Sequence, residues 1–349
     1  MKIFSIIGAR PQFIKSALLS QAIREFHKEF LLHTGQHYDF NMSGLFFKEL
    51  GIPEPDINLN VGSGYHGEQT AQMIIGIERY LLKEKPDLVL IYGDTNSTLA
   101  GAIASAKLMI PVAHVEAGLR SYNRKMPEEI NRIVADCFST FCFCPCENAA
   151  RNLEKEGIKE GIYIVGDVMF DLLKKWEEGK FSYRLDNKWA EEYWLMTFHR
   201  AENTVDPEPI KMIFNAIYKA KIDVYFPAHP RTRKFLNDFS ILIPSNLHLI
   251  DPLGYPETMS RLKDSKGLIT DSGGLQKEAY WLSKPCITLR EQTEWIETVE
   301  EKANKVVGLD ADLLFNEMTT DWFNKKANRN LYGDGESCKK IVEIINHGN

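Results

Sequence analysis

The sequence has no apolar run long enough to cross a membrane and no cluster of basic residues. A membrane-spanning helix needs roughly 20 consecutive apolar residues. The N-terminal stretch KIFSIIG is far shorter and lacks the flanks of a secretory signal, so a soluble cytoplasmic protein with no membrane partner is expected. The missing basic patch, together with a net charge of -6, argues against nucleic acid as a partner. Paired C-x-x-C spacings are absent too. The six cysteines are Cys137, Cys142, Cys144, Cys146, Cys286 and Cys338, and three of them alternate in TFCFCPC. Alternation at period two puts Cys142 and Cys144 on one face of a short strand, which predicts a structural role rather than a zinc or redox site. No G-x-G-x-x-G follows the first strand pattern, which removes the best support for a nicotinamide or flavin cofactor. Low-complexity tracts and short repeats are lacking as well.

What is present is an alternation of short apolar runs with longer amphipathic segments. At 349 residues the chain exceeds the usual size of one core, which predicts two domains. In the first half, strands are expected at 3–7, 30–33, 88–92, 112–115, 141–143 and 162–165, with helices at 11–24, 67–83, 97–107 and 128–138. A helical segment and a charged stretch over 167–184 read as the linker. The pattern then restarts: strands at 193–197, 224–226, 248–250, 267–270, 286–289 and 305–307, and helices at 207–219, 256–262, 275–283 and 336–345. Such alternation means parallel strands with crossover helices, hence two doubly wound α/β halves, 1–168 and 169–349. The final helix is expected to pack back towards the first. Ligands of such sheets sit at the carboxyl ends of the strands, and a cleft between two halves is the expected site.

The stretch Lys266–Arg290, KGLITDSGGLQKEAYWLSKPCITLR, carries the strongest local signal. A strand feeds the turn Asp271-Ser272-Gly273-Gly274, which opens a helix whose first N–H groups point at whatever lies above the strand end. Ser272 is placed to cap that helix, and Glu278 to accept from a ribose hydroxyl. The first strand ends in GARPQFIK. Proline fixes the helix start, so Arg10 at the N-terminus and Lys15 a turn along suit a diphosphate. Later strands end in Asp94 (YGDTNST) and Glu116 (HVEAGLR), and MPEEINR brings Glu128 four residues before Arg132 on one helical face. Clustered carboxylates push at least one pKa upward, which would supply an acid and a base together. In the second half, His199 and His229 both fall at strand ends. An N-cap for Asp94, a surface ion pair for Glu128 and ordinary loop roles for the histidines are the plainer alternatives.

With these residues assembled, the chain resembles the non-hydrolysing UDP-N-acetylglucosamine 2-epimerases. The resemblance runs through GARPQFIK, TGQHY, YGDTNSTLAG, HVEAGLRS, MPEEINR, HRAEN, DSGGLQKE and GDGES in that order. It implies a GT-B-like fold, two Rossmann-like domains with the active site in the cleft, and a homodimer. The implied reaction is reversible epimerisation at C2 of a UDP-2-acetamido sugar, by elimination and re-addition of UDP through a 2-acetamidoglucal. Such a product feeds cell-surface polysaccharide, and the reaction needs no cofactor and no metal. It assigns Asp94, Glu116, Glu128 and His199 to the sugar, and Arg10, Lys15, Arg132, His229, Ser272, Gly273, Gly274 and Glu278 to substrate and UDP. Four residues depart from the family pattern. Gln12 stands for a glutamate; Asp39 and Glu68 replace residues of an effector site; and Trp295 in TEWIE replaces an arginine. With Trp295 offering an apolar face in place of a cation, UDP-2,3-diacetamido-2,3-dideoxyglucuronate is a close alternative substrate. Its carboxylate would draw a cation from Arg120, Arg124 or Arg200. A hydrolysing epimerase, a GT-B glycosyltransferase and a silent nucleotide-sugar sensor are the other readings.

Overall fold

The structure is a computed structural model and describes residues 1–36, 47–181, 183, 189–200, 206–323 and 328–347. Asp39 and residues 201–203 of the HRAEN turn therefore lie outside the described residues. The chain forms two compact units, one of Met1–Phe181 with Asn330–Asn349 and the other of Ser182–Arg329.

The first unit holds strands β1 (Lys2–Ile7), β2 (Lys28–His33), β3 (Ile57–Asn58), β4 (Leu88–Tyr92), β5 (Val112–Val115), β6 (Phe141–Cys144) and β7 (Ile162–Ile164). They pair in the order β3-β2-β1-β4-β5-β6-β7, and every pairing is parallel. A parallel sheet covered on both faces selects near-continuous apolar strands, and all five residues of LVLIY in β4 are buried. Helix Asn96–Lys107 crosses back over β1 and β4. Its small residues allow a close approach: a Cβ on Gly101 would lie 2.8 Å from Ile91 and 2.9 Å from Ile6. The strand order reverses between β1 and β4, the position at which open parallel sheets take their ligands.

The second unit repeats the plan with β8 (Tyr193–Thr197), β9 (Asp223–Pro227), β10 (Leu247–Ile250), β11 (Gly267–Thr270), β12 (Cys286–Thr288) and β13 (Asn304–Val306), ordered β10-β9-β8-β11-β12-β13. All pairings are again parallel, and the reversal falls between β8 and β11. Its core gathers Met196, Phe198, Ile213, Phe214, Phe226 and Ile269.

Compactness divides the chain at 181 and 329 rather than at 168. Helix Val168–Glu177, read from the sequence as the start of a linker, packs on helix Arg10–Phe26 of the first unit, as does helix Ser337–His347. The returning chain is pinned there by Asp171, whose carboxylate accepts from Ser337 N (3.0 Å) and Cys338 N (2.7 Å). Asp167 N donates to Tyr332 O at 2.9 Å, and Gly166 (φ 92°) crosses Gly333 so closely that a Cβ would come within 3.0 Å of its Cα. These contacts give GDVMFD and GDGES a packing role. Burial outweighs the two amides at Asp171 and raises its pKa.

Candidate active site

The tips of β1, β4 and β5 converge in the first unit. Helix Arg10–Phe26 starts one residue before the proline, with Arg10 half-buried in its first position. The turn is locked by the fully buried Gln12. Its Oε1 accepts from Gly8 N (2.8 Å) and Ala9 N (3.1 Å), while its Nε2 donates to Tyr92 O (3.0 Å) and Thr98 Oγ1 (3.1 Å). Only an amide both accepts and donates in this way, so the departure from glutamate ties the end of β1 to the end of β4.

Lys15, expected at the diphosphate, faces inward, and its ammonium pairs with the Glu116 carboxylate. Both side chains are over nine-tenths buried, and an ammonium there requires a counter-charge. Glu116 adopts φ 74°, a left-handed conformation that a non-glycine residue keeps only when its surroundings over-determine it. Glu116 N and Ala117 N both donate to Phe143 O, at 3.0 and 3.1 Å. Gly93 (φ 59°) forms the floor beneath the pair: a Cβ there would lie 2.7 Å from Lys15 Nζ and 3.3 Å from Glu116 Oε2.

Asp94 does not cap the next helix. Thr98 Oγ1 accepts from Thr95 N at 3.2 Å, and the Asp94 carboxylate instead takes Arg132 Nη2 at 2.6 Å. The four-residue pairing foreseen for Arg132 with Glu128 gives way to Asp94 and to Glu129, 3.3 Å from Arg132 Nη1. Glu129 is itself buried, accepting from Ser121 N, Ser121 Oγ and Tyr122 N. Glu128 is half-buried in the first turn of helix Pro127–Phe138. The expected crowd of bare carboxylates is thus resolved into ion pairs, Asp94 with Arg132 and Glu116 with Lys15.

A buried chain behind these tips was not foreseen. His114 lies between Gly93 O (2.7 Å from Nε2) and Asp136 Oδ1 (2.7 Å from Nδ1). Asp136 Oδ2 accepts from Arg120 Nη1 at 2.7 Å, and Arg120 reaches Glu156 through two further bonds of 2.8 and 2.6 Å. Arg120 is therefore engaged internally and is removed as a source of charge for a uronate. Burial opposes ionisation of Asp136, but His114 and Arg120 outweigh it and hold its carboxyl below the ordinary aspartate value. The signal was in the sequence: His114, Arg120 and Asp136 flank the acids already singled out, yet only the fold shows that they touch. Cys142 and Cys144 are buried free thiols; burial pushes Cys142 up to about 12 and Cys144 higher still.

In the second unit, the switch point between β8 and β11 carries His199 and the glycine turn. Asp271, buried at the tip of β11, accepts from His199 N and Arg200 N, each at 2.8 Å, and lies 3.1 Å from His199 Nδ1. Burial of Asp271 is again outweighed, here by His199 and the two amides, and its pKa is lowered. It was read as a turn residue and proves to orient a half-exposed histidine. Helix Gly273–Trp281 begins two residues earlier than expected. Ser272 occupies the N-cap position, yet its side chain makes no capping bond; its backbone N–H donates to Thr270 Oγ1 at 2.9 Å, which sets the turn. Glu294 lies over Gly273, with Oε1 2.5 Å from where a Cβ would stand, and pairs with Arg290 at 2.9 Å. Gly274 follows in the first turn, and Glu278 is buried further along the same helix. His229 caps helix Pro230–Asp238, its Nδ1 accepting from Arg231 N at 3.2 Å. Trp295 is 2% exposed, with Lys277 Nζ 3.8 Å from its ring centroid. The apolar face foreseen for a sugar is thus covered by a buried lysine.

Among the described residues, no group of three or more His, Cys, Asp or Glu side chains is arranged to hold a metal, and no helix is long and apolar enough to cross a membrane. The family model described as UDP-N-acetylglucosamine 2-epimerase matches residues 21–346. A UDP-N-acetylglucosamine 2-epimerase homolog of Methanococcus maripaludis is 50% identical, over 99% of both chains. The UDP-2,3-diacetamido-2,3-dideoxy-D-glucuronate 2-epimerase of Pseudomonas aeruginosa is 45% identical, again over 99% of both. The crystal structure of Methanocaldococcus jannaschii UDP-GlcNAc 2-epimerase in complex with UDP-GlcNAc and UDP superimposes with a TM-score of 0.92 at 41% identity, over the whole of both chains.

Proposed function

Since the chain belongs to the UDP-N-acetylglucosamine 2-epimerase family, we propose that it interconverts UDP-N-acetylglucosamine and UDP-N-acetylmannosamine without net hydrolysis. The observation that carries this reading is the pair of carboxylates, Asp94 and Glu116, at neighbouring strand tips, each held by its own buried cation. The hydrogen on C2 is not next to a carbonyl, so a carboxylate does not readily remove it from the intact sugar. Loosening of the C1–O bond, with its electron pair leaving on the diphosphate, makes C1 electron-poor and acidifies C2. One carboxylate then takes the C2 proton, and the C–H pair becomes the C1=C2 bond of 2-acetamidoglucal. Protonation of C2 on the opposite face and return of the diphosphate oxygen to C1 give the epimer.

In this reading Asp94, Glu116 and Glu128 exchange protons at the sugar, assisted by His199. Arg10, Arg132, His229, Ser272, Gly273, Gly274 and Glu278 hold substrate and UDP. Lys15 serves Glu116 first, as its paired cation, and UDP second. Donors that fit the departing diphosphate better than the bound nucleotide sugar lower the barrier. Incubation with UDP-N-acetylglucosamine in heavy water, followed by NMR, tests the scheme. Deuterium at C2 with UDP still attached is the expected result. Intact nucleotide sugar without exchange at C2 defeats the proposal, and free N-acetylmannosamine with UDP assigns the hydrolysing reaction instead.

A second reading, 2-epimerisation of UDP-2,3-diacetamido-2,3-dideoxyglucuronate, is favoured by the identity to the Pseudomonas aeruginosa relative. A uronate wants a cation, and with Arg120 engaged by Asp136 and Glu156 the remaining candidates are Arg124 and Arg200. The ratio of kcat/KM for the two nucleotides decides between them, since a missing charge partner separates substrates by orders of magnitude.

A further inference from the structure

We propose that His114 is a positioning residue, doubly protonated between Asp136 and the Gly93 carbonyl, that fixes the backbone beneath Lys15 and Glu116. The proposal rests on the reading of Asp94 and Glu116 as the reacting groups. Its first ground is stereochemical. His114 is fully buried near the end of β5, and each ring nitrogen lies 2.7 Å from an oxygen. A peptide carbonyl only accepts, and so does a carboxylate. With one proton on the ring, either two acceptors would face each other across 2.7 Å or the carbonyl would face a bare nitrogen, and burial excludes water from relieving either contact. Two protons are therefore needed along the line from Asp136 to Gly93.

Their location follows from the other groups around the ring. From helix Pro127–Phe138, Asp136 also accepts from Gly118 N (3.1 Å) and Arg120 Nη1, which favours its ionised form. Arg120 is paired in turn with Glu156, at the end of helix Glu147–Lys155. From β6, Cys142 stands in register with His114 and is a neutral thiol. From helix Arg10–Phe26, Lys15 is matched by Glu116. Charges alternate along Glu156, Arg120, Asp136 and His114, and the proton settles on the imidazole.

The consequence reaches the reacting groups through the backbone. Gly93 is tied to β5 at both ends, its N–H to Val115 O (2.9 Å) and its carbonyl to His114 Nε2. Asp94 follows it directly. On the other side, Asp136 holds residue 114 by its ring and residue 118 by its amide, two positions either side of Glu116. Asn152 Nδ2 closes the turn by donating to Gly118 O at 3.0 Å. The left-handed Glu116 is thereby clamped from both sides.

Two-bond 1H–15N spectra of the nine imidazoles in the full chain test the proton placement at neutral pH. The His114 pattern is the one that vanishes in His114→Gln. Two protonated nitrogens are expected, and one protonated with one bare nitrogen in Asp136→Asn, whose amide donates to Nδ1. A bare nitrogen on His114 in the wild-type protein overturns the proposal. The positioning role is read from kinetics with UDP-N-acetylglucosamine. His114→Phe, which leaves the Gly93 carbonyl without a donor, should lower kcat by about a hundredfold with KM little changed, the scale of a small misplacement. His114→Gln, whose amide reaches the same carbonyl, should recover most of that loss. Equal kcat in all three proteins, or equal loss in Phe and Gln, rejects the role. Should His114→Phe fail to fold, the Gln and Asp136→Asn variants and the spectra carry the test. A wild-type protein inactive on the nucleotide defeats the functional reading, and the spectra then decide the proton placement by themselves.

Discussion

At the scale of single residues, Asp94 and Glu116 are each given a cation before substrate arrives. Glu116→Gln and Asp94→Asn are each expected to lower turnover by at least about a hundredfold, the usual scale for losing a positioned acid or base. Circular dichroism at room temperature should show both folded, with a lowered urea midpoint in Glu116→Gln, which strips the buried Lys15 of its counter-charge, and full activity in either removes that residue from the reacting set. Gly93→Ala tests the floor beneath them. The left-handed backbone costs an alanine about 1–2 kcal/mol, and its Cβ would press on Lys15 Nζ, so urea denaturation and turnover should fall together. Trp295→Phe distinguishes a packing role from a substrate role. Because its ring carries Lys277, the substitution should cost about 1 kcal/mol of stability while leaving the kcat/KM ratio between the two candidate sugars unchanged. A changed ratio would return Trp295 to the substrate face.

At the scale of elements, the long helices and every strand but the two-residue β3 were legible because apolar runs and helical periodicity both report burial, and the central strands of both sheets are buried on two faces. Helices Glu147–Lys155, Pro230–Asp238, Ile296–Glu300 and Ala311–Thr319 were not: none exceeds nine residues, and polar residues dominate the first three. The acids at the strand tips were visible from their position after each apolar run. Their partners were not, since pairing of Lys15 with Glu116 spans 101 residues and that of Asp94 with Arg132 spans 38. His114 hid inside its own strand, where a polar residue reads as an interruption. The helix Ser337–His347 was visible, but its anchor was not: Asp171 lies 166 residues before Ser337. Asp171→Asn leaves one of the two amides facing an NH2 group, and should cost about 1 kcal/mol, the usual worth of a capping side chain, in a denaturation midpoint.

At the scale of the whole molecule, both units keep a buried aspartate ionised, Asp136 in one and Asp271 in the other. Each folded pKa lies below the ordinary aspartate value of 3.8. A group of that kind stabilises fully above the unfolded value, and its contribution fades as pH falls through the folded one. Thermal stability should therefore hold down to about pH 4 and drop below it, with a shallower acid limb in Asp271→Asn. Asp171 has the opposite sign: raised by burial, it favours the fold below the unfolded value and loses that contribution as pH climbs through its folded value. A further consequence concerns the order in which the chain is made. The second unit is an insertion, entered at residue 182 and left at 329, and the first unit recovers its helix Ser337–His347 only afterwards. During synthesis the amides awaited by Asp171 are therefore added only after every residue of the second unit has been translated. A released chain truncated near residue 329 would contain the whole second unit but leave one helix flank of the first unit bare, a surface for chaperones or proteases to seize.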